Sequence, residues 1–372
     1  MKNKIIVPVI SLVAFTLCFI NLYSINTIYL DLPPNRLGLY TTLYYFGYLI
    51  SQIPGGMLAD KNGPKRLLAI CVALSGISTL AFAFTESLFL GYVTRVLNGL
   101  GSGPIMACAS KLISNTFDDL RKRTGALGLL LCSPPLGLLI ANSFTPFLLS
   151  KTSNQVVLVA LGLLNFPVSV LALVLLEPVP KINEKISIME SLDIFRKSSI
   201  QVKLALAGFI FMFVVVGFGI WGRRYYQYLG YSISEVNQFM TVFSFCAVFS
   251  VIVSGYLSVH HIKYLKVVFP VMGVCFAALS VITQDLLVFS VLFGMIAYSP
   301  SAHFTAMAIE LSPERYRASA ASLQNFFMQI GAFIMPTVTS IILKTSGNYN
   351  LLWIFFALLV SIASCLLFSL RR

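Results

Sequence analysis

Apolar residues fill this chain in long stretches, and polar residues are concentrated in the gaps between them. A helix of about 20 apolar residues crosses roughly 30 Å of hydrocarbon. The pattern predicts twelve such segments: 4–24, 36–59, 66–84, 87–114, 123–148, 155–176, 202–229, 233–258, 263–282, 285–311, 316–344 and 349–370. Only short connectors and one central loop remain, which leaves no room for a sizeable soluble domain. The longest polar interruption starts at Glu177-Pro178-Val179-Pro180 and runs as a mixed-charge stretch to Lys203. It divides the chain into an N-terminal six-helix bundle (1–176), a cytoplasmic linker (177–201) and a C-terminal six-helix bundle (202–372). Within the linker, Ile182, Ile186, Ile188 and Leu192 predict a short interfacial helix.

The halves echo one another. Arg121-Lys122-Arg123-Thr124-Gly125-Ala126-Leu127 opens the fifth segment, and Arg315-Tyr316-Arg317-Ala318-Ser319-Ala320-Ala321 opens the eleventh. Gly56-Met57-Leu58 ends the second, and Gly255-Tyr256-Leu257 ends the eighth. Small residues at such places let helices approach closely. Composition agrees with the segment pattern: 58% of residues are hydrophobic and 10% charged, with mean hydropathy +0.87, far from any soluble domain of this length. The net charge of +13 is a matter of topology, not of nucleic acid. Lys61, Lys65, Arg66, Arg121, Lys122, Arg123, Lys263 and Lys266 all fall on one side, so the positive-inside rule puts both termini in the cytoplasm. The first segment, after Lys2 and Lys4, is too long for a signal peptide and is expected to stay as a helix. The seven cysteines lie in apolar segments without close pairs and act as small hydrophobes.

One connector carries more than topology. In Gln52–Arg66, QIPGGMLADKNGPKR, an apolar run ends at Asp60, turns at Asn62-Gly63-Pro64, and leaves Lys61, Lys65 and Arg66 before the next run. Gly56, Leu58, Asp60, Lys61, Gly63, Lys65 and Arg66 fill the pattern G-x-L-x-D-[RK]-x-G-x-[RK]-[RK]. This stretch resembles the loop after the second helix of major facilitator superfamily transporters. The resemblance implies an all-α membrane protein of twelve helices in two pseudo-symmetric bundles that rock about a shared site. It also implies that the loop latches the inner ends of the bundles, with Asp60 near the start of the eleventh segment around Tyr316 and Arg317, and with Lys65 and Arg66 near Asp118 or Asp119.

Two sets of intramembrane cations stand out. Arg95 lies about two turns into the fourth segment, and an arginine at that depth must face water or a partner. Gly99, Ser102 and Gly103 share its helical face. The run Arg95–Pro104 resembles the R-x-x-x-G-x-G motif of the superfamily, and more closely the R-x-x-x-G-x-G-E-G-P run of organic-anion carriers in its anion:cation symporter branch. Ser102 stands where that branch often has a proton-linked Glu. Arg95 is therefore a substrate anchor, a proton-coupling partner or a structural arginine bonded to carbonyls. Arg223 and Arg224 end the seventh segment near its outer edge among Trp221, Tyr225, Tyr226 and Tyr228, an ordinary interfacial belt. Of the two, Arg223 shares a face with Gly219 and Gln227 and is the better cavity candidate.

Asn21, Tyr44, Tyr48, Asn142, Gln324, Asn325 and Gln329 are polar groups at membrane depth that either line a pathway or bond between helices, and His303 is a possible proton site. Ser133-Pro134-Pro135-Leu136-Gly137 faintly resembles the proline-glycine motif of drug antiporters. No Asp or Glu falls near the middle of a segment, which argues against cationic substrates and leaves a proton to an end-of-helix acid, His303 or the substrate itself. There is no HExxH, no phosphate-binding glycine loop and no Cys/His metal cluster, so neither enzyme chemistry, metal nor cofactor is expected. The expectation is a monomeric carrier in the cell membrane that takes up a small organic anion with a proton. Drug efflux by antiport, or a receptor on the same fold, are the alternatives.

Overall fold

The computed structural model of the protein describes residues 3–117, 119–179, 193, 196–257, 260–312 and 317–370. The described residues form helices. These are α1 (Asn3–Ile28), α2 (Pro34–Asn62), α3 (Pro64–Ala83), α4 (Leu88–Ser102), α5 (Ile105–Thr116), α6 (Leu120–Leu130), α7 (Ser133–Leu149), α8 (Asn154–Leu163) and α9 (Asn165–Leu175). After the linker come α10 (Ser199–Tyr228), α11 (Ile233–Leu257), α12 (His261–Leu279), α13 (Leu286–Ala297), α14 (Pro300–Glu310), α15 (Arg317–Ser346) and α16 (Tyr349–Phe368). The chain divides into two compact units, Met1–Asn183 and Glu184–Arg372. That division falls inside the expected linker, whose predicted interfacial helix lies outside the described residues.

The twelve expected spans are all present, and four of them are broken: α4 with α5, α6 with α7, α8 with α9, and α13 with α14. Proline explains each break. Pro104, Pro134, Pro167 and Pro300 have no N–H to give to the carbonyls of Leu100, Leu130, Leu163 and Ile296, four residues earlier. At the last break the freed Ile296 carbonyl accepts from the Ser299 hydroxyl at 3.0 Å, the local repair that lets a broken helix sit in lipid. Ten stretches are long and apolar enough to cross a membrane on those criteria alone. The other two expected spans are α2, rich in tyrosine, and the interrupted α4 with α5. Gly63 joins α2 to α3 at φ +91°, a value that excludes side chains with a Cβ at little cost.

Each unit repeats one packing plan. The first span packs on the fifth, the second on the fourth and the third on the sixth: α1 with α7, α2 with α4, α3 with α8 and α9; then α10 with α15, α11 with α13, α12 with α16. The closest approaches match too. A Cβ at Gly137 in α7 would meet the Thr16 carbonyl of α1, and one at Gly331 in α15 would meet the Phe209 carbonyl of α10. A Cβ at Gly99 would strike the Tyr44 carbonyl, and one at Gly294 the Phe243 carbonyl. The duplication read from the loops is thus carried into the interior as glycine-to-backbone contacts. The first span of each unit is also the innermost. Ala14 to Ile28 of α1 and Ile210 to Tyr226 of α10 are buried without a break, polar residues such as Asn21, Ser24 and Arg223 included. Large apolar side chains such as Phe89, Val174, Val274 and Leu358 remain exposed on other helices, which suits a lipid solvent.

Candidate functional site

In the N-terminal unit Arg95 is set by glycine. Gly91 and Gly99 stand one turn before and one turn after it on the same face of α4. Gly91 lies against the Tyr40 ring, and Gly99 against the backbone of Tyr44 and Tyr48. Gly103 continues the seam against Tyr48 and Ser51. The two backbones therefore come close, and Arg95 is held against the tyrosine ladder of α2. It is 2% exposed. Its Nε donates to the Tyr40 carbonyl at 3.4 Å, and its guanidinium carbon lies 5.0 Å from the centre of the Tyr44 ring. No carboxylate is within ion-pair distance of it among the described residues. The Tyr44 hydroxyl donates to the Cys18 carbonyl at 3.3 Å, beside Ser102. Tyr48 packs on Tyr44 and Tyr45, and its buried hydroxyl has no partner among the described residues.

Asn21 occupies a different place. Its amide donates to Ser75 Oγ at 3.1 Å and to Asn165 Oδ1 at 3.4 Å. Asn98 donates to the Ser75 carbonyl and to Thr79 Oγ1, both at 2.9 Å. These bonds tie α1, α3, α4 and α9 together. Sequence reading singled out Asn21 and passed over Ser75, Asn98 and Asn165. The available signal was an Asn or Ser in an otherwise apolar stretch. Asn142 is buried in α7.

In the C-terminal unit Arg223 is 3% exposed and Arg224 8%. Residues 210–226 of α10 are all buried, so burial alone does not separate the two arginines. Arg223 Nη1 donates to Asn237 Oδ1 on α11, and Arg224 lies over the Trp221 ring. Trp221 Nε1 donates to Thr339 Oγ1 at 2.7 Å. The Gln324 amide donates to the Leu204 carbonyl at 3.3 Å, with its own oxygen buried and unpartnered; Asn325, next to it, is half-buried. His303 is fully buried in the first turn of α14 and bonds His261 across the gap to α12.

The basic hairpin is less completely placed. Gly56 has only an ordinary contact with Ala107. It is Gly55 that seats α2 against Pro104, where a Cβ would overlap the ring. Lys61 and Arg66 are exposed and Lys65 is half-buried, while Lys111 donates to the Ala59 carbonyl at 3.2 Å and closes the end of α2. The side chains of Asp60 and Arg317, and Asp118 and Tyr316 altogether, lie outside the described residues, so the expected contact of Asp60 with the start of the eleventh segment does too. A recess of about 440 Å³ lies at the turn Ile282–Asp285 with Val288, Phe289 and Leu292; none of the predicted site residues lines it. Among the described residues there is no group of three His, Cys, Asp or Glu placed to hold a metal ion.

Residues 5–336 match the sequence profile of the Major Facilitator Superfamily. The chain belongs to this superfamily. It is a multi-pass membrane protein with the superfamily's twelve-helix fold. A bacterial homologue of the human lysosomal transporter Spinster, in an inward-facing and unoccupied conformation, is 17% identical with TM-score 0.78, covering 98% of this chain and 96% of its own. The nucleoside transporter NupG is 13% identical with TM-score 0.79 over the whole of both chains. Shorter stretches match curated relatives. One is 31% identical to the sodium-dependent phosphate transport protein 1, chloroplastic, of Arabidopsis thaliana, over 37% of this chain and 28% of that protein. Another is 31% identical to the hexuronate transporter of Bacillus subtilis (strain 168), over 29% of this chain and 25% of that protein. A third is 31% identical to probable anion transporter 3, chloroplastic, of Oryza sativa subsp. japonica, over 36% and 26%. The matched stretch thus spans about a quarter of the length of these relatives. All five are transporters by name, and none is an enzyme.

Proposed function

We propose that this chain is a secondary carrier that takes up a small organic anion together with a proton, by alternating access. The observation that carries the reading is Arg95: a buried guanidinium that meets one carbonyl and one aromatic face, with no described carboxylate to neutralise it. A cation held out of water is costly unless a counter-charge arrives. An arriving carboxylate or phosphate supplies that charge and takes up the idle N–H donors in paired bonds. The tyrosines of α2 form a wall for the apolar part of the substrate. Arg223 is the second cation assigned to the anion. The absence of mid-span acids counts against cationic cargo, and so against drug efflux by proton antiport. The names of a hexuronate carrier and of anion transporters among the relatives lean the same way. The name of one relative favours a second reading of the coupling, by sodium.

The basic hairpin, Gly56 to Arg66 with Arg317, is assigned the inner gate on its sequence pattern. The charge bias of the loops supports both termini in the cytoplasm; the chain is assigned to the plasma membrane, working as a monomer. The test is uptake by the purified chain in proteoliposomes, with carboxylates, sugar phosphates, neutral amino acids and dyes offered under pH and sodium gradients in turn. Uptake of a carboxylate or phosphate that follows the pH gradient is expected. Flux of dyes alone overturns the anion reading, and flux that follows only sodium replaces the proton.

A further inference from the structure

One end of the C-terminal unit holds a file of titratable groups that leads inward. The Glu310 side chain is 47% exposed and that of His261 23%, whereas His303 is 1% exposed. Glu310 Oε1 lies 3.4 Å from His261 Nε2. His261 Nδ1 lies 2.9 Å from His303 Nδ1. The Tyr264 ring stacks on His303 at 4.2 Å, with its hydroxyl beside Ser254 and Ser299. Helical spacing creates the file: His303 and Glu310 are two turns apart on one face of α14, and His261 and Tyr264 are one turn apart on α12. His303 Nε2 is buried with no hydrogen-bond partner among the described residues.

With both rings neutral and Glu310 ionised, one arrangement of protons satisfies the file. Two Nδ1 atoms at hydrogen-bond distance share one proton. In that arrangement His261 presents Nε2–H to the Glu310 carboxylate and accepts at Nδ1. His303 then donates from Nδ1 and keeps a bare lone pair at buried Nε2. A proton arriving at that lone pair makes His303 an imidazolium. Its Nδ1 proton passes to His261 Nδ1, and the His261 Nε2 proton passes to Glu310. One proton has entered at the buried end and one O–H has formed at the exposed end, with every group neutral. Running the file backwards returns it.

The described charged side chains of the neighbouring helices make other contacts or sit at other heights. On α10, Lys203 bonds Ser369, and Arg223 and Arg224 are at the opposite end. On α11, Glu235 is at the opposite end and Ser254 is the near polar group. On α12, Lys263 is exposed and Lys266 donates to the Leu370 carbonyl. On α15, Lys344 is at the far end, and the side chain of Arg317 lies outside the described residues. We propose that Glu310, His261 and His303 form a proton relay that loads and unloads the coupling proton of the carrier. This rests on the proton-coupled reading above.

The chain has three histidines, so nitrogen-15 histidine spectra of the full-length protein in detergent resolve the pair, with exposed His260 as reference. His261 and His303 are expected to titrate as one coupled system, and Glu310→Gln is expected to shift both. Independent titrations overturn the relay. In proteoliposomes, Glu310→Gln and His303→Gln are each expected to lose at least tenfold in uptake driven by a pH gradient while keeping substrate counterflow. Glu310 is half in solvent, so its variant does not depend on refilling a buried site. Wild-type flux that ignores the pH gradient overturns the coupling reading and the relay together. Wild-type flux that follows the gradient, with both variants still following it, overturns the relay alone.

Discussion

In the N-terminal unit amides and hydroxyls bind four helices: Asn21, Ser75, Asn98 and Asn165 hold α1, α3, α4 and α9. In the C-terminal unit aromatic rings fill the interior. Phe218 lies within 6.3 Å of Tyr226, Phe243, Phe293 and Trp353, and Phe276 continues the cluster to Phe356. The packing plan and its glycine contacts are the same in both. A duplicated backbone has therefore been filled by two kinds of chemistry. Hydrogen bonds fix register and direction, while rings supply contact area that is tolerant of direction. Buried ionisable groups differ as well: Arg95 lies on a tyrosine ladder in one unit, while the other holds Arg223, Arg224 and a histidine–carboxylate file.

The largest test of this contrast is Phe218→Ala, which removes the hub of the aromatic unit. A loss of about 3–5 kcal/mol is expected from the cavity, read as a fall in detergent thermal stability. A loss as small as that from a surface change would show that the rings do not carry the unit. Arg95→Gln acts on function instead: initial uptake is expected to fall about 100-fold, or roughly 2.7 kcal/mol, with thermal stability kept, and Arg95→Lys is expected to recover part of it. Undiminished uptake by Arg95→Gln would make Arg95 a structural group. Gly99→Val and Gly294→Val force a side chain into a facing carbonyl in either unit. Each is expected to cost about 1–3 kcal/mol, whereas Gly125→Val, where a Cβ meets nothing within 4 Å, is expected to leave packing unchanged. Unequal effects at the matched pair would break the shared plan. Asn98→Ala removes one fastener and is expected to cost about 0.6–1.7 kcal/mol, the range for interhelical hydrogen bonds in lipid.

Much of this was legible beforehand, residue by residue. The expected spans agree with the helices to within a few residues because lipid demands apolar runs of fixed length, a requirement local to each segment. The breaks were not legible: prolines stand at 104, 134, 167 and 300 where spans break, but Pro8, Pro54, Pro146, Pro270 and Pro336 stand inside unbroken helices. Arg95 was legible as a buried cation because charge is rare at that depth. Its neighbours were not, since the Tyr40 carbonyl and the Tyr44 ring meet it only once glycine has let α2 and α4 touch. Asn21 could have lined a pathway or bonded between helices, and only the positions of Ser75 and Asn165 decided it. His261 stands next to His260 in the chain, yet the ring it meets lies 42 positions away.

By itself the sequence determined the number of spans, the two-fold repeat and the scarcity of charge within the spans, because each is read from composition and pattern along the chain. Tertiary structure decided which polar atoms meet. Contacts such as His261 with His303, or Arg95 with Tyr44, depend on how two helices are rotated and how near they come, and that is set by side-chain volumes on several helices at once.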